Sequence, residues 1–378
     1  MTEQVLAGRL KSARASLGLT IGEAAKRLGY QNYHTLSNIE SGQRAVKASE
    51  LNAFARIYSV SISELLGVQP PSVPVRMLWR KRDSKRAKEA EARIRSLCES
   101  YAHLESAVGI SPASFPFPTT IRSRADIRTA ADVDRIAREA CRTLNLGKRP
   151  ACGLGKVLEE DYSVKLLYLP LTDAGSAASM RHPEWGAVIA VNSDDAPWRR
   201  AYDIAHELFH LLSWDACPPD ALDDEAVFAD VEKKAERFAS TLLLPAGEIV
   251  EELRARVEKN STISLSDLVD IAREFGVSSQ ALLYRLAKME LLPWERASEL
   301  ANGRELTRLD KDKRRSDRGE RPVSERFVAL AVRCLRKGIL SRGKFAELLE
   351  IDRIDIDDFI AERGLMEHEG ARIKIMAP

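Results

Sequence analysis

The sequence is short of the features that would mark a secreted, membrane or nucleic-acid-coating protein. Its 378 residues include five cysteines, Cys98, Cys141, Cys152, Cys217 and Cys334, an odd and scattered set without a CxxC pair. That excludes a disulfide framework and points to a reduced, cytoplasmic setting. No stretch reaches the roughly 18 consecutive apolar residues of a membrane span, so no membrane partner is expected. The N-terminal run MTEQVLAGRLKSARASLGL has the spacing of an amphipathic helix and lacks the apolar centre of a secretory signal. Charge of one sign is also missing: 58 Lys and Arg stand against 56 Asp and Glu, a net charge of +2. Any binding to nucleic acid must therefore be local. At 44% hydrophobic residues the chain can bury a sizeable core, and its length allows two or three domains.

What is present divides the chain unevenly. Residues 1–70 read as short helices, with Thr20 and Glu23 in the spacing of a capping box. The segment QPPSVP (69–74) breaks the pattern. Residues 76–95 then carry nine basic and three acidic side chains and run into a helix to about Val108, followed by a second proline-rich break at 111–120. Residues 131–146 and 150–161 read as helices. The segments 164–171 and 187–192 are apolar and bounded by turn residues, so they read as strands, with a weaker strand at 176–181. From Pro197 the helical period returns over 197–213, 225–243, 246–257, 264–274 and 278–289. The segment 304–322 is dense in charge and poor in apolar residues, which predicts a flexible linker. Residues 323–362 read as two or three small helices, and no repeat of fixed period is present.

The expected class is α+β and predominantly helical: an all-α N-terminal domain, a small sheet packed with metal-binding helices, and a helical C-terminal extension. The expected division is a first domain at 1–70, a basic linker and helix at 71–125, a second domain at 126–295, a charged flexible linker at 296–322 and a small helical domain at 323–378.

The strongest chemical signal is YDIAHELFHLLSW, residues 202–214. On a helix, His206 and His210 share one face a turn apart, where a single metal ion can take both imidazoles. Glu207 between them is placed to accept a proton from a metal-activated water. Two of the chain's six histidines fall in this pattern. Downstream, VEKKAERFASTLLLP (231–245) reads as a second helix, with Glu232 and Glu236 a turn apart. Carboxylates on a buried face without a basic partner are costly unless a cation compensates them. Two histidines, one carboxylate and an open fourth position make up a catalytic zinc site. The spacing alone leaves Glu232 and Glu236 as alternatives for the third ligand. Tyr202, Arg181 and His182 are candidates for stabilising an oxyanion, and His182, in RHPEW before a strand, also reads as an exposed loop residue.

The arrangement HELxH, a loop of about twenty residues and then ExxAxxFAxxLLLP resembles the ImmA/IrrE family of zinc metallopeptidases over roughly residues 130–290. The strand AVIAVN and the turn WRR before the helix add to the likeness. A frequent glycine before the second histidine is replaced here by Phe209. The resemblance implies a Zn2+ ion held by His206, His210 and Glu232, Glu207 as general base, and Glu236 orienting a ligand histidine from behind.

Residues 5–67 resemble the Xre/Cro-like helix-turn-helix family, through TIGEAAKRLGY, QNYHTLSNIESGQR and the closing VSISELLG, with a turn one residue longer than the commonest form. The residues support this independently. Gln31, Asn32, His34, Thr35 and Asn38 offer groups for base edges or phosphates of double-stranded DNA, while Leu36 and Ile39 point inward. Residues 1–70 hold eight Lys and Arg and five Asp and Glu, a modest local excess of the right sign.

Together the two resemblances imply a cytoplasmic, homodimeric, DNA-binding regulator with a zinc endopeptidase domain. Its substrate would be a repressor with a helix-turn-helix of its own, in phage, mobile-element or stress control. The alternative is a repressor or antitoxin whose zinc domain is a sensor or relic without turnover.

Overall fold

A computed structural model of the chain describes residues 3–58, 60, 62–67, 77–79, 85–111, 117, 121–171, 174–315 and 322–365. The break at 69–74 and most of those at 80–84 and 111–120 lie outside the described residues, as does the tail beyond 365.

The first sixty-odd residues form α1 (Glu3–Ser16), α2 (Ile21–Arg27), α3 (Tyr33–Glu40), α4 (Ala48–Tyr58) and α5 (Ile62–Leu66). The expected box at the start of α2 is present. The Thr20 hydroxyl accepts from the Glu23 amide, and the Glu23 carboxylate accepts from the Thr20 amide. Leu10, Leu36, Ile39, Phe54 and Leu65 close a core belonging to this unit. Arg14 grips the buried Glu40 with both arms of its guanidinium, at 2.7 and 2.9 Å, and so fixes α1 to α3.

The next unit is organised by a four-stranded sheet. Its strands are β1 (Leu78–Trp79), β2 (Lys165–Leu169), β3 (Ala177–His182) and β4 (Gly186–Asn192), in the order β1-β3-β4-β2. β4 pairs antiparallel with β3 and parallel with β2. Both faces are covered, which is why these strands read as nearly continuous apolar runs. Leu166, Ala177, Ala187, Ile189 and Val191 face one core, with α7 (Ala130–Thr143), α8 (Pro150–Glu160), α9 (Pro197–Leu212) and α10 (Glu225–Leu243). Leu167, Leu169, Ala178, Met180, Val188 and Ala190 face the other, with α6 (Lys85–Ala107). Beyond α10 follow α11 (Ala246–Asn260), α12 (Leu265–Glu274), α13 (Ser279–Lys288), α14 (Trp294–Ala301) and α15 (Arg304–Lys313).

Three expectations about organisation are corrected. The segment 71–125 is more than a linker and a helix, because Leu78, Phe117 and Ile121 are buried in the core under the sheet. The segment 296–322 is not simply a flexible linker. α14 and α15 lie within it, and Ala301 and Leu306 pack with Val269 and Leu283. Its charges are partnered: Lys313 meets Asp270 at 2.5 Å, and the buried Arg314 donates to the Val277 carbonyl at 2.6 Å and lies 4.3 Å over the Trp198 ring. The C-terminal helices, α16 (Glu325–Arg336), α17 (Arg342–Leu349) and α18 (Ile356–Glu362), do not hold a core apart. Phe327, Leu330, Phe345 and Ile360 join Ile94, Cys98 and Tyr101 of α6 in the cluster on the outer sheet face. Glu105 of α6 fastens the layers, meeting the buried Lys165 of β2 at 2.8 Å and Arg326 of α16 at 2.7 Å. No helix among the described residues is long and apolar enough to cross a membrane.

Candidate metal centre and nucleic-acid face

α9 starts with Pro197 at its first turn and buries every residue from Asp203 to Leu212. Ile204, Leu208 and Leu211 anchor it under the sheet, and Phe209 meets Phe238 of α10 with ring centroids 5.5 Å apart. Phe209, where the resembling family often has glycine, thus fills the seam between the two helices. This packing fixes the positions of His206 and His210 one turn apart, and brings α10 close enough for Glu232 to reach both.

The three side chains converge on one point. The His206 Nε2 and His210 Nε2 atoms are 3.2 Å apart. Glu232 places Oε2 at 3.3 Å from His206 Nε2 and Oε1 at 3.1 Å from His210 Nε2. Four ligands around zinc with bonds of about 2.0–2.1 Å would stand about 3.3 Å from one another. The three observed separations already match the edges of such a tetrahedron, and the donor set of two imidazoles and a carboxylate suits the same ion. Burial alone would push the Glu232 carboxyl up, but the hydrogen bonds and charge of His206 and His210 outweigh it and hold it down at about 2. The carboxylate is therefore in its ligating form.

Glu207 points toward the sheet. It is 1% exposed, and its Oε2 accepts from the Ser179 hydroxyl of β3 at 2.6 Å. Ser179 was not among the residues singled out from the sequence. A lone serine in an alanine-rich strand carries no signal, and only the pairing of β3 over α9 gives it a role.

Glu236 does not take the position implied for it. It lies on the exposed side of α10, outside the converging group, and His206 Nδ1 has no hydrogen-bond partner among the described residues. One helical turn beyond Glu232, its side chain is carried past the histidine pair. Of the oxyanion candidates, His182 is corrected from loop to strand: it is buried at the end of β3, stacked at 4.0 Å on Trp185. Alternation along β3 turns it to the face opposite Ser179. Arg181 shares the face of Ser179 and pairs with Asp215 at 3.2 Å, while the Tyr202 hydroxyl donates to the Glu236 carbonyl at 3.1 Å.

On the first unit, Gln31, Asn32, His34 and Asn38 are exposed and Thr35 is half-buried, while Leu36 and Ile39 are buried as expected. Asn32 is committed elsewhere. It caps α3, its side chain accepting from the Thr35 amide at 3.3 Å. Tyr33, half exposed and 4.1 Å from the His34 ring, stands on the same surface and was passed over because an aromatic at a helix start reads as core.

Residues 159–287 match the peptidase family model described as the IrrE N-terminal-like domain, and residues 5–66 match a helix-turn-helix domain. No curated protein matches the chain. Among solved structures, a Mycobacterium tuberculosis transcriptional regulator is similar at 19% identity and a TM-score of 0.32, over 52% of this chain and 54% of that one. The chain thus spans about half the length of that regulator.

Proposed function

From a chain that joins an N-terminal helix-turn-helix domain to an IrrE N-terminal-like domain of metallopeptidase type, we propose a DNA-binding regulator that is also a zinc-dependent endopeptidase. The observation that carries this reading is the convergence of His206, His210 and Glu232 on one point. Glu207 is buried on the same turn of α9. The two imidazoles and the Glu232 carboxylate hold one Zn2+ per chain. The ion, when bound, supplies a Lewis acid that activates water and polarises a peptide carbonyl. Glu207 is the general base. Ser179 occupies its Oε2 and fixes the carboxylate plane, leaving Oε1 to take the proton from the attacking water and return it to the leaving amine. Arg181, two residues along the same strand face, is the cation placed to meet negative charge developing on the substrate.

The helix-turn-helix unit supplies the address. Gln31, His34, Thr35 and Asn38 read the major groove of double-stranded DNA, and a homodimer gives the two half-sites that one such module needs for tight binding. The substrate in this reading is a partner repressor with its own helix-turn-helix, cut in the cytoplasm under phage, mobile-element or stress control. Elemental analysis of the purified chain tests the centre. One zinc per chain is expected, with most of the affinity lost in His206→Ala. Metal content near zero in the wild type, or unchanged in the variant, contradicts it.

A further inference from the structure

The sheet has one edge beside the metal centre, and that edge is covered by a very short strand. β3 runs over six residues from Ala177 to His182, yet β1 pairs only with Ala178 and Ser179 among the described residues. The register sets Leu78 opposite Ser179, the residue whose hydroxyl holds Glu207. Cross-strand partners present their side chains to the same sheet face. Leu78 accordingly enters the inner core that contains α9, while the neighbouring Met77 packs with the outer cluster. β1 is therefore an extended segment of this chain laid antiparallel along the edge strand, with an apolar side chain on the metal side and its backbone beside the general base.

Two residues of pairing are a weak hold. An isolated two-stranded pairing is marginal even at greater length, and short edge elements lie at the low-stability end of a fold. A longer extended segment that pairs along the whole of Ala177–His182 makes more main-chain hydrogen bonds than β1 does. It wins the edge if it also supplies an apolar side chain at the Leu78 position. This is strand addition to a sheet edge, in which the backbone gives affinity and alternate side chains give selectivity. The cis segment has the advantage of being tethered, at an effective concentration on the order of millimolar. Weak or short peptides are excluded for that reason. The tether is also informative, since β1 lies between α5, the last helix of the DNA-binding unit, and α6.

We propose that the outer edge of β3 is the substrate-docking edge, that it takes an extended peptide segment with an apolar residue opposite Ser179, and that residues 77–79 occupy it in cis as a competing pseudo-substrate. The substrate part of this rests on the peptidase reading above, whereas the exchange of strands on the edge does not.

The test separates the two. The probe is a fluorescein-labelled, end-blocked peptide with the sequence of residues 73–83, VPVRMLWRKRD, and its control carries aspartate in place of the leucine. Binding is measured by anisotropy to the full-length chain with Glu207→Gln, which prevents hydrolysis. The same background is then combined with Trp79→Pro, which weakens strand pairing through the backbone, or with Leu78→Asp, which withdraws the apolar anchor. The two edge variants are expected to bind the probe at least tenfold more tightly than the edge-intact chain and to discriminate against the control peptide. Should Leu78→Asp fail to fold, Trp79→Pro carries the comparison alone. Equal probe binding with and without the edge change, or equal binding of probe and control, overturns the proposal. With Glu207 restored, the edge variants should cut the probe with a lower KM at similar kcat. Tighter binding without any cut would leave the docking edge standing and remove the peptidase reading.

Discussion

A carboxylate as enclosed as Glu207 is costly to bury unless its oxygens find donors, and Ser179 supplies one at 2.6 Å. Losing a single hydrogen bond of this kind is worth about 1.4–3 kcal/mol. Ser179→Ala should therefore lower the rate of peptide cleavage about ten- to hundredfold. The zinc content should stay the same, because no metal ligand is touched. A rate equal to wild type would mean that Glu207 holds its position without the strand. A second buried acid behaves differently. Burial pushes the Glu159 carboxyl up to about 7, even though the Ser324 hydroxyl donates to it. The folded chain thus binds this proton more tightly than the unfolded chain. The stability it confers is full below pH of about 4.5 and is lost as pH rises through about 7, an ionisation penalty on the order of 3 kcal/mol. Glu159→Gln should flatten that part of the profile and leave the variant more stable than wild type at pH 8, read by denaturant unfolding across pH. Parallel profiles for the two proteins would contradict the assignment. At this scale the sequence was legible where chemistry has a period. His206 and His210 declare themselves by a spacing of four, and Glu232 by the apolar register of its helix. Glu236 shares that register and misled, because a one-turn offset decides which carboxylate reaches the metal and only the crossing of α9 and α10 sets it. Ser179 and His182 were illegible or misread for a related reason: the face each takes depends on strand pairing.

Elements show the same division between local and non-local information. The helices from α7 to α13 could be read almost to their ends, because each buries one apolar stripe and has a start or stop residue of its own. α15 could not. Its few apolar residues, Leu306 and Leu309, sit among charges that look like solvated linker until Asp270 and Val277 are brought opposite Lys313 and Arg314. α3 carries a distinction that can be measured. Asn32 caps the helix, whereas Asn38 is exposed on its face. Asn32→Ala should cost about 1 kcal/mol of stability in the first domain. Asn38→Ala should leave the melting temperature unchanged and weaken specific DNA binding by about 1–3 kcal/mol. Thermal unfolding and footprinting on both variants check this. The opposite pattern, with Asn38 stabilising and Asn32 indispensable to a base contact, would reverse the assignment.

At the scale of the whole molecule, the five expected segments become two cores tied to one sheet, with the helix-turn-helix unit packed around a core of its own. The α+β class and the N-terminal all-α unit were legible, since both follow from the period of the apolar residues. The sharing of the outer sheet face between α6 and the C-terminal helices was not, because more than two hundred residues separate Glu105 from Arg326 and neither carries a local sign of its partner. The architecture places a proteolytic centre and a DNA-reading helix in one chain. If both act, removing the proton acceptor should separate them. Glu207→Gln keeps the shape and the Ser179 contact, leaves His206, His210 and Glu232 in place, and takes away the base. The most direct measurement is co-expression of a small helix-turn-helix repressor encoded beside this chain, following the repressor's length on a gel. Wild type should shorten it. Glu207→Gln should bind zinc and operator DNA as before, with cleavage reduced on the order of a hundred- to ten-thousandfold, the usual share of a positioned general base. Cleavage that persists in Glu207→Gln, or a repressor left whole by the zinc-loaded wild type, would contradict the account.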